Sequence, residues 1–220
     1  MLKVCNLGKN YKKNGRMIRA ADGISFTLAA GDFAVIHGPS GSGKSTLLLM
    51  LGGMLPPDEG SVFYGPDDIY RLSAGRRNHY RKHVAGFVFQ RFFLLPYLSV
   101  YDNIRMPLSL QGGHDAGAEA VAAWARRLRI EERLNHMPGE LSVGEQQRAA
   151  LARSLVGGKK IILADEPTGN LDAANIEIVA QCLQEESRRG RIIVLVTHNK
   201  SLLGLGNKCL PMENGRITEE

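Results

Sequence analysis

The 220-residue sequence predicts an α/β fold built on a mostly parallel sheet. Two observations carry that prediction. Apolar runs alternate with helical stretches, most plainly in KKIILADEP, AANIEIVAQCLQEESRR and RIIVLVTH, and the IILA and IIVLV at the heart of the two outer runs are continuously apolar, as in strands covered on both faces. Earlier in the chain, FAVIH leads without a break into the glycine-rich GPSGSGKST, and leucines at helical spacing follow it.

In chain order, ISFTL (24–28) and FAVIH (33–37) read as two strands around the turn Ala29-Ala30-Gly31-Asp32. Leu47, Leu48, Leu51 and Leu55 then recur at helical spacing, which predicts a helix from Lys44 to Met54 ended by Pro56-Pro57. VAGFVF (84–89) is a further strand, ending at Gln90. The next segment lacks strong strand signals and carries AEAVAAWARRLRIEERL, a predicted helix from Ala118 to Leu134. It is a candidate helical subdomain over about 91–141, set against a core of 1–90 and 142–220. A helix from about Val143 to Val156 precedes the apolar strand of IILADEP. No internal repeat and no linker is visible, so residues 1–220 are expected to form one domain.

Lys plus Arg outnumber Asp plus Glu by 28 to 22, for a formal charge of +6, so the chain tolerates polyanions or an anionic membrane face. The densest basic run, Arg76 to Lys82 with Arg71 just before it, lacks the aromatic interleaving of a single-strand binder and reads as a solvated face. No specific nucleic acid is therefore expected. MLKVCNLGKNYKK has no apolar core followed by a cleavage site, and no window approaches 18 uninterrupted apolar residues, so a secreted or membrane-spanning chain is not expected. Cys5, Cys182 and Cys209 are odd in number and far apart, with no Cys-x-x-Cys pair; they read as reduced and inert.

The chemistry starts at residues 38–46. GPSGSGKST fits G-x-x-x-x-G-K-[ST] with Gly38, Gly43, Lys44 and Ser45, and Pro39, Ser40, Gly41, Ser42 and Thr46 complete the loop. Glycines let successive N–H groups face a phosphate chain, Lys44 meets the β and γ phosphates, and the Ser45 hydroxyl serves Mg²⁺. Asp165 and Glu166 end an apolar strand, where the first can hold the metal and the second can polarise a water for in-line attack. His198 follows the next strand at the sheet edge where ligands gather, and is either a contact to the γ phosphate or the attacking water or a structural histidine. Gln90 is either a metal or water contact or an ordinary polar strand end, and Tyr11 either stacks on a base or is a packed strand residue. A second candidate anion seat is LSVGEQQR, where Ser142 and Gly144 open a helix with exposed backbone donors.

Taken in order and spacing, GPSGSGKST, Gln90, LSVGEQQR, IILADEP, GNLD and VTH resemble the nucleotide-binding domain of ABC transporters over essentially the whole chain. FVFQRFFLLPYLSVYDNI and ILADEPTGNLD resemble the subgroup serving lipoprotein release and macrolide-type export. The resemblance implies the P-loop NTPase fold of ABC ATPases, with an antiparallel β subdomain and a helical subdomain beside the parallel core. It implies ATP and Mg²⁺ as ligands, with Ser45, Gln90 and Asp165 at the metal, and hydrolysis supported by Glu166, His198 and Gln90.

It also implies a head-to-tail pair in which Ser142 and Gly144 serve ATP held by a second copy. Gly169, Asn170, Leu171 and Asp172 form the crossing loop in that pair. The implied place is the cytoplasmic face of the cell membrane beside an integral permease, and RFFLLPYL (Arg91 to Leu98) is either a docking groove for that permease or packing inside the helical subdomain. A cell-division-type ATPase that signals across the membrane without moving cargo is the alternative. Repair-type and translation-type members, with long coiled coils or two units per chain, do not fit the short single unit here. Two departures from the family's LSGGQ stand out. Val143 alters the seat if the loop needs a positive φ there, and the Glu145 carboxylate is expected to repel an anion at the helix start.

Overall fold

The computed structural model describes every residue except Asn14, 113–116, Asn170 and 219–220. Two sheets organise the chain. The first is antiparallel, in the order β2-β1-β4-β5, and consists of β1 (Leu2–Lys13), β2 (Arg16–Leu28), β4 (Glu59–Tyr64) and β5 (Asp67–Asp68). The second has the order β10-β9-β3-β8-β7-β6, with β3 (Phe33–His37), β6 (Ala85–Val88), β7 (Ile161–Asp165), β8 (Ile192–Thr197), β9 (Lys208–Glu213) and β10 (Arg216–Ile217). All its pairings are parallel except the closing hairpin of β9 and β10.

ISFTL and FAVIH are both strands, but they part company at the turn between them. The first joins the antiparallel sheet through β1, while the second, apolar up to its last residue His37, is taken between β8 and β9 in the parallel one. Helix α1 (Lys44–Leu51) stops short of the expected Met54, and Gly52 and Gly53 follow it directly. Two tyrosine hydroxyls accept the role of capping its last carbonyls, Tyr70 donating to Met50 O at 2.6 Å and Tyr80 to Leu51 O at 2.9 Å. The basic run lies on α2 (Ala74–His79) and a π-helical turn, Tyr80–Val84, that feeds β6.

Between β6 and β7 lie α3 (Val100–Leu110), α4 (Gly117–Arg127) and α5 (Val143–Leu155). The helix expected to reach Leu134 breaks after Arg127, because Arg129 turns into the left-handed region at φ 54. That break lets Leu128 and Ile130 both enter the core before a 3₁₀ turn at Glu131–Arg133. Helix α6 (Ala173–Arg188) connects β7 to β8. No helix among the described residues is long and apolar enough to cross a membrane.

Alternation along the central strands divides the core into two layers. Ile161, Leu163, Ile192, Val194 and Ile36 pack toward α1 and the antiparallel sheet, while Ile162, Ala164, Ile193, Leu195 and Val35 pack toward α3 to α6. The parallel register aligns His37 with Thr197 and Asp165 with Val196. Strands β3, β7 and β8 therefore release their next residues at one edge of the sheet.

A buried ion cluster ties α4 to α6 and β8. Glu186, 1% exposed, accepts from Arg127 and Arg189 at 2.8 Å on one oxygen and from Arg191 at 2.8 Å on the other. Trp124 lies against the same guanidinia, with Arg127 at 4.3 Å and Arg191 at 5.7 Å from its ring centre. Removing the carboxylate leaves Arg191, 17% exposed, beside a desolvated spot without its anion, while Arg127 keeps Glu185 at 2.7 Å and Arg189 is largely in solvent. Glu186→Gln is expected to lower unfolding free energy by about 3 kcal/mol, read as a reduced denaturant midpoint at unchanged slope.

Candidate nucleotide site

The phosphate loop runs from the end of β3 to the start of α1. Gly43 precedes the helix in the left-handed region, at φ 101, and contributes no side-chain cap; the first turn holds no acidic residue. The first N–H groups of α1 thus face a space with no built-in acceptor, which is an anion seat. The Lys44 ammonium, on a residue only 7% exposed, donates to the carbonyls of Gly38 at 2.8 Å and Pro39 at 2.7 Å and to Ser42 Oγ at 3.2 Å. All three partners are neutral. Burial pushes its pKa down, opposed by the Glu166 and Asp165 carboxylates.

Facing the loop, Ser45 Oγ donates to Asp165 Oδ1 at 3.0 Å. Burial, aided by neighbouring Glu166 and opposed by the Ser45 hydrogen bond and Lys44, pushes the Asp165 carboxyl up. Glu166 is 12% exposed in its side chain, and its Oε1 lies 2.7 Å from His198 Nδ1; Thr197 Oγ1 donates to Oε2 at 3.4 Å. Pairing with a carboxylate places the ring proton on Nδ1 and leaves Nε2 of His198 unpledged. The Glu166 backbone is itself unusual, at φ 47, with its N–H held by Val196 O at 2.9 Å. Such a conformation stores about 1–3 kcal/mol.

These groups line one cavity of about 350 Å³, which gathers Tyr11, Ser40, Gly41, Gly43, Lys44, Ser45, Thr46, Gln90, Asp165, Glu166 and His198, together with Ala20 and Val196. Gly38, Pro39 and Ser42 belong to the same loop but sit behind it, where they hold Lys44. Tyr11 is a β1 residue, 41% exposed, paired with Ile18. The residues fit a nucleoside triphosphate: a desolvated cation hydrogen-bonded only to neutral oxygens and an uncapped helix start both want negative charge.

Ser142, Gly144 and Asp172 do not line that cavity. Ser142 caps α5 in an extended conformation, φ −61 and ψ 160, and Val143 takes the first helical position. No positive φ is needed at Val143, so the concern about its branched side chain is removed. Glu145 does not stand free at the helix start either. Its Oε2 accepts from the Ser142 N–H and hydroxyl, both at 2.8 Å, in a capping box, and its Oε1 accepts from Arg133 Nε at 2.7 Å. Asp172 caps α6, accepting from the Asn175 N–H at 2.8 Å, and the Asn175 side chain packs against Gly144. Asn170, in the same loop, lies outside the described residues.

RFFLLPYL is an irregular strap held by polar groups. Arg153 on α5 donates to the carbonyls of Phe92 and Phe93, each at 2.6 Å, and buried Asn103 accepts from Leu95 N–H and donates to the carbonyls of Leu95, Leu98 and Ser99. Leu94 packs on the core, whereas Phe93, Leu95 and Tyr97 are exposed. Neither Arg133 nor Arg153 stands out in the sequence, since their partners lie 12 and about 60 positions away, and Asn103 is silent because its bonds go to backbone groups of the irregular strap. The Ser142-x-x-Glu145 spacing is the local signal that could have shown the capping box, which a reading by the charge of Glu145 alone passes over.

A phosphate loop with paired acids at the C-terminal edge of a parallel sheet defines a nucleoside-triphosphate-hydrolysing domain. The comparisons narrow the class. The model of the ABC transporter family matches residues 21–169. The chain is 41% identical over 222 residues to the lipoprotein-releasing system ATP-binding protein LolD of Geobacter metallireducens, covering 100% of this chain and 99% of that one. It is 38% identical to the macrolide export ATP-binding/permease protein MacB of Chlorobium luteolum, of whose length it spans 33%. The dimeric structure of the ABC transporter cassette MJ0796 superposes with a TM-score of 0.93 at 33% identity, over 100% of this chain and 97% of that one. A post-hydrolysis state of MJ0796 bound to ADP and Pi gives 0.92 at 32%. The chain belongs to the ABC transporter family, as an ATP-binding ATPase of the LolD and MacB type.

The loop geometry grades its own glycines. A Cβ on Gly41, at φ 81, meets nothing within 4 Å, whereas one on Gly43 would lie 1.8 Å from the Ala20 carbonyl oxygen. Gly41→Ala is expected to cost about 1–2 kcal/mol of strain and retain ATP binding. Gly43→Ala should abolish binding, as read by nucleotide titration and thermal melting of the two variants side by side.

Proposed function

We propose that this chain is the ATP-hydrolysing subunit of a membrane transporter, acting as a head-to-tail pair with a second copy of itself. It works from the cytoplasmic face of the cell membrane and drives a separate permease in export or lipoprotein release. The carrying observation is the split between the two anion seats. The phosphate loop, Asp165, Glu166 and His198 share one cavity, and Ser142, Gly144 and Asp172 lie outside it, available to a neighbour's nucleotide. The dimeric form of MJ0796 and the name of the LolD relative support the same reading.

In this reading Lys44 and the N–H groups of the loop hold the β and γ phosphates, and Tyr11 at the cavity wall takes the base. Ser45 and Asp165, with Gln90 on the same cavity, would hold Mg²⁺, which takes a few oxygen ligands and keeps several waters. When bound, Mg²⁺ offsets charge on the phosphates. Glu166 orients a water and accepts its proton, while His198 fixes the carboxylate through Nδ1 and turns Nε2 toward the γ-phosphate end. Gly169, Leu171 and Asp172 run toward the second chain and couple the sites.

The permease side is the strap and the hollow beside it. A cavity of about 350 Å³ is walled by Phe87, Phe89, Met54, Met106, Pro107 and Leu110 and edged by Arg81, Lys82, Arg153 and Lys159. Phe93 closes edge-on against Phe89 at 5.2 Å, so strap and hollow are continuous. The segment 91–141 serves as the helical subdomain that carries this face.

Glu166→Gln is expected to lower kcat by ~10²–10⁴-fold and to double in molar mass when ATP is added. Ser142→Arg in that background should abolish the doubling. A monomer with ATP demonstrably bound would overturn the pairing. Separately, Phe93→Asp should abolish co-purification with the permease while basal hydrolysis continues. Phe93 sits at φ 47 and is 59% exposed, a setting that aspartate tolerates better than phenylalanine, so loss of the fold is not expected.

A further inference from the structure

We infer that Arg133 is a positioning residue for closure of the ATPase pair: its guanidinium binds the Glu145 oxygen that points away from Ser142 and offsets the charge of the carboxylate that stands beside the neighbour's triphosphate. The inference rests on the pairing proposed above. It begins with a conflict of charge. Glu145 stands one turn from a seat for a polyanion, and its Oε2 accepts the Ser142 hydroxyl proton at 2.8 Å, the same proton that a phosphate oxygen needs. An unshielded carboxylate there both repels the phosphate and competes with it for Ser142.

Glu145 has no escape through protonation. The hydrogen bond from Arg133, with those from Ser142, outweighs burial and holds its pKa at about 2. Compensation must therefore come from a fixed cation. The backbone at Arg133 is fixed: it ends the 3₁₀ turn Glu131–Arg133, and the chain beyond it is bonded to the start of α3 through Tyr101 N–H to Leu134 O and Val100 N–H to His136 O, both at 2.9 Å, so the 41%-exposed guanidinium is placed within reach of Glu145 at 2.7 Å. The surrounding hollow, about 400 Å³, sets Arg126, Arg129 and Arg133 against Glu131, Glu132 and Glu145. Arg148, buried beside the turn, also acts on Glu145 through charge alone, but Arg133 makes the guanidinium hydrogen bond to it, and removing Arg133 leaves two arginines against three carboxylates in that hollow.

The test uses the full chain in the Glu166→Gln background and reads the ATP-dependent monomer–dimer equilibrium by molar mass. Arg133→Ala should weaken dimerisation ~10-fold or more, while ATP binding to the chain's own phosphate loop stays unchanged, which also shows that the variant is folded. Adding Glu145→Gln to Arg133→Ala should restore dimerisation to within about threefold of the parent, because the amide keeps the capping geometry and removes the charge. A purely structural anchor would behave oppositely, since the second change removes a further bond. Normal dimerisation of Arg133→Ala, or no rescue in the double variant, overturns the role of Arg133 and leaves the pairing intact. A Glu166→Gln parent that stays monomeric with ATP bound overturns the pairing, and the role of Arg133 with it.

Discussion

Parallel register at one edge of the sheet is the constraint on which the site depends. His37, Thr197 and Asp165 end neighbouring strands at nearly the same height, so the loop after β3 and the acids after β7 meet across β8 without long excursions. Ser45, on the helix that follows the loop, can then reach Asp165 across 120 positions of sequence at 3.0 Å. The two apolar layers hold that register. A slip of one residue in β7 would exchange Ile161 and Leu163 with Ile162 and Ala164 and bring the wrong set to each face.

The charges at that edge are arranged for a ligand. Lys44 spends its donors on neutral oxygens, and burial weakens its hold on the proton; Asp165 is likewise drawn toward its neutral form. Each group alone is in an unfavourable setting, and a phosphate chain with a divalent cation relieves both. Glu166 bears a different stress, in its backbone, which the bond from its N–H to Val196 O holds in place. Its side chain, by contrast, has partners for both oxygens.

Contiguous features were legible in the sequence, and non-local ones were not. GPSGSGKST, the acids of IILADEP and His198 all follow directly from apolar runs, so both their chemistry and their place at the strand ends could be read. The long β1 strand escaped notice because register shifts between Val4 and Asn10 scramble the alternation of LKVCNLGKNYKK. The helix predicted through Leu134 shows strong helical spacing on both sides of Arg129, and only the tertiary demand to bury Ile130 breaks it. Glu145 was judged by its charge alone, since nothing in the spacing joins it to Arg133, twelve positions earlier.

Helix α5 carries Ser142 at its beginning and Arg153 near its end, where Arg153 grips the carbonyls of Phe92 and Phe93. At 1.5 Å per residue the two lie roughly 16 Å apart along one rigid rod. Such a rod acts as a lever arm. A tilt of about 10° at one end displaces the other by roughly 3 Å, which is larger than the slack in any hydrogen bond it holds. A push on the strap is thus expected to reach the turn at Ser142 as a change of distance, without any residue between them having to change its own conformation.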